Sequence, residues 1–347
     1  MALTAGNVTI KSSGGTYSTW AAFWNDLGNL TGNISCCIDA GAYTEVTAPA
    51  TVTENLNGYT IHVYPSAFPT KTDGTTGVRF TCNYTGYFLR LNNANAGTIL
   101  MEGISVLEGT AKPTYIMRID SAVAETVKIR RCIFKGGQTF INLANTTPTY
   151  MIYNNIIYNQ TGTANGMYIT QNLNGFISNN TYVDQKGTNS WDGIAFNANS
   201  KVFTADNNLA YGQQGVAFTL VSAATGSNNS SADASADDFG TGTNNRISKT
   251  TSPFTNYAAD DFTLAADSDP IGNGKDLSAY FTDDFFGNTR TGWDIGAVAY
   301  STGAVTYLLK YHTGATWAQK PLKYYNGAIW ASKPLKVYTG TEWIVIN

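Results

Sequence analysis

Hydrolysis of a glycosidic bond takes two carboxyl groups held about 5–9 Å apart, and the middle of this chain offers three acids for such work, Asp184, Asp192 and Asp206. Counted from an Asn that recurs through the same region, they stand at +4, +12 and −2. Acids stacked into one site would share an offset, so these three occupy different points of a repeating unit. The doublets Asp237-Asp238, Asp260-Asp261 and Asp283-Asp284 point to opposite faces wherever they lie on a strand. Histidine chemistry rests on His62 and His312 alone. The first sits in an alternating apolar strand and the second takes a Tyr position in a repeat, so both read as structural. Lys186 and Lys201 are the lysines a lyase would have as base in this region. No Ser-His-Asp signature, phosphate loop or metal-ligand spacing is present, so neither a cofactor nor a metal is expected. Cys36, Cys37, Cys82 and Cys132 lack C-x-x-C spacing and read as buried free thiols.

Aromatic residues suggest binding instead. Tyr158 and Tyr211 share offset +3 from the recurring Asn, with Tyr168, Tyr182 and Trp191 nearby. Facing outward, these five would form a strip that stacks on sugar rings or docks a neighbouring subunit.

These residues need a scaffold, and the sequence repeats. Aligning 129–134, 152–157, 177–182 and 205–210 puts Cys132, Asn155, Asn180 and Asn208 in register, with Asn229 following, at intervals of 23, 25, 28 and 21 residues. Each interval divides into three short strand-like pieces, such as 156–158, 166–169 and 175–177. Three short strands per repeat with Gly or Asn at the corners is the pattern of a right-handed parallel β-helix. Asn tolerates the positive φ of a tight corner, and stacked amides hydrogen-bond from coil to coil, so Asn155, Asn180, Asn208 and Asn229 are expected to form a structural ladder. Before the repeats, Trp20, Phe23, Trp24 and Leu27 follow helical spacing, and Ser18 or Thr19 is placed to cap a short helix that covers the open end of the first coil. The expected organisation is an N-terminal cap over 1–35, a β-helix over 36–300 with irregular closing coils from 222, and a C-terminal array over 301–347.

That array repeats every 13 residues: Lys310, Lys323 and Lys336, then Gly314, Gly327 and Gly340, then Trp317, Trp330 and Trp343. Asn326-Gly327 is a strong hairpin signal, so three β-hairpins are expected. Short hairpins cannot bury their own Trp side chains, which makes Trp317, Trp330, Trp343 and the three lysines candidate assembly contacts.

Composition narrows the partners. Charged residues make up 13% of the chain, and 21 Lys and Arg against 24 Asp and Glu give a net charge of −3. No positive field exists to hold nucleic acid, no apolar run approaches the ~20 residues needed to span a bilayer, and the N-terminus has no secretory signal.

The order Phe262-Thr-Leu, Pro270-Ile-Gly-Asn-Gly, Phe286-Gly-Asn-Thr-Arg, then Trp293-Asp-Ile-Gly-Ala-Val-Ala-Tyr300 resembles the closing segment of pectin-lyase-like right-handed β-helix proteins, with Ala299 where Glu is usual. Gly14-Gly-Thr-Tyr17 followed by Trp20 resembles the opening of β-helix virion proteins of tailed bacteriophages. The resemblance implies a virion structural protein, either a head decoration or fibre or a tail-associated adhesin, made in a bacterial cytoplasm and released by lysis. It would dock on capsid or tail proteins through its C-terminal repeats, self-associate, with a trimer as one form, and present its solenoid to a cell-surface glycan. The alternative is a tailspike depolymerase using Asp184, Asp192 and Asp206.

Overall fold

The computed structural model describes residues 2–92, 95–120, 122–159, 165–184, 194–197, 202–213, 215–219, 224–239 and 242–301. Six short strands within 309–346 are also described; for these, and for Ile194–Asn197, the description is of backbone only. Two compact units divide at Tyr300, Met1–Tyr300 and Ser301–Asn347.

The first unit is a parallel β-solenoid of three sheets with eight, eight and six strands. A representative coil runs from Thr126–Arg130 in the first sheet through Ile133–Lys135 in the second to Thr139–Leu143 in the third. The next coil stacks on it in parallel register, Val127 on Tyr150 and Ile129 on Ile152. Period-two alternation decides which side chains face inward, as in Ile34–Ile38, where Ile34, Cys36 and Ile38 are buried and Ser35 and Cys37 are partly exposed. Inward rows form one continuous apolar interior from Val8 to Phe239.

The helix Trp20–Asn25 stands where the first coil has no third-sheet strand. Thr19 is its N-cap, its hydroxyl accepting from the Ala22 amide at 3.1 Å. Trp20, Phe23 and Trp24 turn into the interior. Trp20 stacks on Phe88 at 4.4 Å, and its indole N–H donates to the Phe88 carbonyl at 2.6 Å. This ties the helix to Tyr87–Leu91, the first strand of the third sheet.

The corner between the first and second sheets is an Asn pair, and the two members divide the work. Positive φ belongs to the leading residue, Arg131, Asn154, Asn179, Asn207 and Asn228, with φ of 50–58°, rather than to the ladder Asn one place later. The following residues, Asn155, Asn180, Asn208 and Asn229, are buried and stack. Asn155 Oδ1 accepts from the Cys132 amide at 3.1 Å, Asn180 Oδ1 from Asn155, Asn208 Oδ1 from Asn180 and Asn229 Oδ1 from Asn208. Asn245 extends the column by accepting from the Asn229 amide.

The region from 222 does not continue as coils to residue 300. Two more partial coils form, Ser230–Ser231 on Leu209–Ala210 and then Arg246 on Ser230. Residues 250–300 then lie along the outside of the corner and the second sheet. The outer Asn row holds them: Asn154 Nδ2 donates to the Asp283 carbonyl, Asn179 to those of Asp294 and Gly296, Asn207 to Lys275 and Asn228 to Asn273. The cause is apolar. Ile133, Ile156, Tyr158, Val183 and Leu209 form an outward column on the second sheet, and Phe254, Phe262, Leu264, Phe285, Ile295 and Val298 bury it.

In the second unit, three antiparallel strand pairs share one register, His312 opposite Trp317, Tyr325 opposite Trp330 and Tyr338 opposite Trp343.

Candidate functional site

With much of the second sheet covered, the outward rows of the other two sheets carry charged and aromatic groups in register. On the third sheet, parallel register aligns Tyr87 with Tyr115, and aligns Arg90 with Arg118, Asn142 and Tyr168. Tyr87 and Tyr115 stack at 5.8 Å with rings 7° from parallel. Each carries a guanidinium over its face, Arg90 at 5.1 Å and Arg118 at 5.8 Å. Both arginines reach one carboxylate: Asp120 accepts from Arg90 Nε at 2.8 Å and from Arg118 Nε at 2.8 and 3.0 Å. Two cations on one anion leave a positive excess, with the arginine side chains about one-third exposed at 34% and 30%. Asn142, next in the row, is buried and its Oδ1 has no hydrogen-bond partner.

The first sheet carries an ion network. Nε2 of His62 lies 2.8 Å from Oε1 of Glu102, whose Oε2 accepts from Arg130 at 2.7 Å. Burial pushes the Glu102 carboxyl up, but the His62 hydrogen bond and the Arg130 charge outweigh it and hold it below its ordinary value. Asp283 approaches Arg130 at 3.8 Å and Arg131 at 3.9 Å. Beyond Arg130, Tyr153 and Phe176 are covered by Leu277 and Phe281 from the return segment, beside Tyr280, which is 65% exposed.

Of the acids singled out in the sequence, the two that are described, Asp206 and Asp184, stand at different sheets with different partners. Asp206 is buried at the end of a first-sheet strand, accepts from the Ser227 amide at 2.8 Å and pairs with Lys275 at 2.9 Å. Asp184 sits past the second sheet with φ of 48° and accepts from the Tyr257 hydroxyl. Asp192 lies outside the described residues. A general acid needs a carboxyl raised toward neutrality, and the carboxyls raised among the described residues are far apart in the fold. Glu45 is raised by burial beside the helix, and Asp238 by burial and by Asp233 and Asp237 in the last coil. Among the described residues, no group of three His, Cys, Asp or Glu is placed to hold a metal ion, and no helix is long and apolar enough to cross a membrane.

The aromatic strip divides. Tyr168 and Tyr211 are partly exposed, whereas Tyr158 and Tyr182 are fully buried and offer no surface. Tyr158 does face outward, but Phe262 packs on its edge at 4.9 Å and its hydroxyl donates to the Asp73 carbonyl at 2.7 Å. Tyr182 belongs to the interior cluster. Trp191 lies outside the described residues. Trp317, Trp330, Trp343, Lys310, Lys323 and Lys336 occupy equivalent backbone positions in the three strand pairs, and their side chains lie outside the described set. Sequence reading missed the arginine-tyrosine row; the 28-residue recurrence of Tyr-x-x-Arg at 87–90 and 115–118 was the available signal.

No protein-family model matches the chain, and no curated protein matches it. Among solved structures it is similar to pectate lyase Pel9A, with 12% identity and a TM-score of 0.30 over 86% of this chain and 98% of that one.

Proposed function

We propose that this chain is a virion protein of a tailed bacteriophage whose solenoid binds an extended, anionic cell-surface glycan along the third sheet without cleaving it. The observation that carries the binding reading is the row Arg90, Arg118, Asn142, Tyr168 on consecutive coils. Strands stack about 4.8 Å apart, close to the length of one sugar unit in an extended chain, so successive units meet successive side chains. The guanidiniums suit carboxylate or other anionic substituents, and the partly exposed Tyr168 suits a ring face. Binding without hydrolysis is supported by the separate placement of Asp184 and Asp206, each engaged by a partner of its own. The phage assignment is supported by the opening sequence motif, Gly14-Gly-Thr-Tyr17 followed by Trp20.

The 13-residue repeats would attach the protein to capsid or tail proteins and support self-association, including as a trimer. Their constant period gives three equivalent sets of Trp and Lys, and one buried large aromatic contributes roughly 1.5–3 kcal/mol.

The deciding experiment incubates purified protein with host capsule or lipopolysaccharide and measures retention and oligosaccharide release together. Retention that weakens in Arg118→Ala, with no release, supports the reading. Release that disappears on Asp184→Asn or Asp206→Asn would replace it with a depolymerase. Deletion of 304–347 is expected to leave a folded solenoid that no longer joins particles.

A further inference from the structure

We infer that the cavity between the return segment and the last coils is a second carbohydrate site, one that takes a single sugar unit end-on. The cavity has a volume of about 370 Å3 and lies against Leu209, Tyr211 and Ser230, closed by 248–253 and 267–270. It falls within the size range of small-molecule pockets. It is separate from the arginine-tyrosine row, since it sits on the second-sheet side of the solenoid, and it stands or falls without that row.

The wall has two characters. Leu209, Pro253 and Pro270 supply apolar surface. Tyr211 adds an aromatic wall whose orientation is fixed, because its hydroxyl donates to the Thr250 carbonyl at 3.1 Å and its ring meets Phe254 and Tyr257 edge to face. The remaining wall is rich in Ser and Thr. A hydroxyl both donates and accepts, and a pyranose presents the same pairing, a C–H face for apolar contact and a rim of hydroxyls. Ser268 lines the cavity with an Oγ that is buried and has no hydrogen-bond partner; rotation about one side-chain bond turns it to a ligand hydroxyl.

The charged groups at the rim balance, two cations, Arg246 and Lys249, against two carboxylates, Asp269 and Asp267. Asp269 accepts from Arg246 through both oxygens at 2.9 Å and pairs with Lys249 at 3.0 Å. An ion cluster satisfied in this way favours a neutral, hydroxylated ligand over a multiply charged anion.

The test is ligand-observed NMR on the full chain with the methyl glycosides of glucose, galactose, mannose and N-acetylglucosamine as probes. At least one is expected to bind saturably with a Kd on the order of 1 mM. Tyr211→Ala removes the aromatic wall and is expected to weaken it about tenfold. Thr251→Trp fills the cavity from an exposed position and is expected to abolish binding while leaving the melting temperature unchanged. Binding that survives Thr251→Trp puts the sugar elsewhere and overturns the inference, as does the absence of binding for all four probes. Arg118→Ala is run alongside. It leaves the monosaccharide bound if the two sites are separate, and loss of both together would reduce them to one.

Discussion

The second and third sheets have the same backbone, the same parallel register and the same alternation, yet their outward rows have opposite fates. On the second sheet the row is Ile133, Ile156, Thr181, Leu209, and the chain returns over it with Phe254, Phe262, Phe285 and Ile295. On the third sheet the row is Arg90, Arg118, Asn142, Tyr168, and its guanidiniums are partly exposed. A solenoid leaves every outward position of a coil open to choice, so side-chain chemistry alone decides whether a face becomes a second core or a surface for ligands.

Both faces depend on coils staying in register, so the ladder between them should matter most. Asn180 Oδ1 accepts from the amide and the side chain of Asn155, while its Nδ2 donates to the Ile152 carbonyl and to Asn208. Asn180→Ala orphans several buried groups at about 1–3 kcal/mol each, and a loss of about 3 kcal/mol or more is expected in denaturant unfolding. A loss under 1 kcal/mol would mean that apolar stacking alone sets the register.

Next in size is the latch of the covered face. Arg290 is buried, donates to Asn154 Oδ1 at 3.0 Å and to the carbonyls of Gly296 and Ala297 at 3.1 and 2.9 Å, and lies over Trp293. Burial pulls its pKa down to about 10. Arg290→Met is expected to cost about 2–3 kcal/mol and, more tellingly, to raise hydrophobic-dye binding and proteolysis within 250–300 while the parallel-β circular dichroism persists. Unfolding of the whole chain in one step would show instead that the return segment is part of the main cooperative unit.

The fate of the faces also marks how far the sequence could be read. The ladder was legible because Asn155, Asn180 and Asn208 recur at a spacing that only stacked coils explain. The return segment was not legible, because its partners are distant in sequence: the Thr72 hydroxyl accepts from the Phe262 amide and Arg131 donates to the Phe285 carbonyl. Tyr158 fell on the wrong side of that boundary. Its +3 offset from the recurring Asn placed it in a candidate outward strip and said nothing about a later segment covering it. The Asn corner was misread by one residue, since composition identifies a positive-φ residue but two adjacent Asn give no means to choose between them. His62 was read as structural from its alternating strand, and its partner Glu102, 40 residues away, was not legible.

That His62, Glu102 and Arg130 network predicts a pH effect of about 1.5–3 kcal/mol, the range for hydrogen bonds to a charged group. The Glu102 carboxyl is lowered from 4.5 in the folded chain, so its contribution is present above the ordinary Glu range and is lost as pH falls through the lowered value. Glu102→Gln should therefore be less stable than the parent at pH 7, with the gap closing as the pH drops below 4. A gap that is constant with pH would mean that only shape, and not charge, is lost.

The smallest stability effect is expected on the open face, where the largest functional effect is proposed. Arg118 is partly exposed, and its ion pair with Asp120 is shared with Arg90, so Arg118→Ala should change stability by no more than about 0.5 kcal/mol. Exposed pairs contribute little because solvent already serves both charges. The same exposure is what a ligand needs: a guanidinium held over Tyr115 and fixed by Asp120 is oriented before binding, so little entropy is lost when an anion arrives. Glycan retention in Arg118→Ala should fall while the melting temperature holds, and Arg118→Lys should restore it only in part, because an ammonium lacks the planar fork. If Arg118→Ala instead destabilises the chain as much as Arg290→Met, the third-sheet row is structural like the second, and the contrast between the two faces disappears.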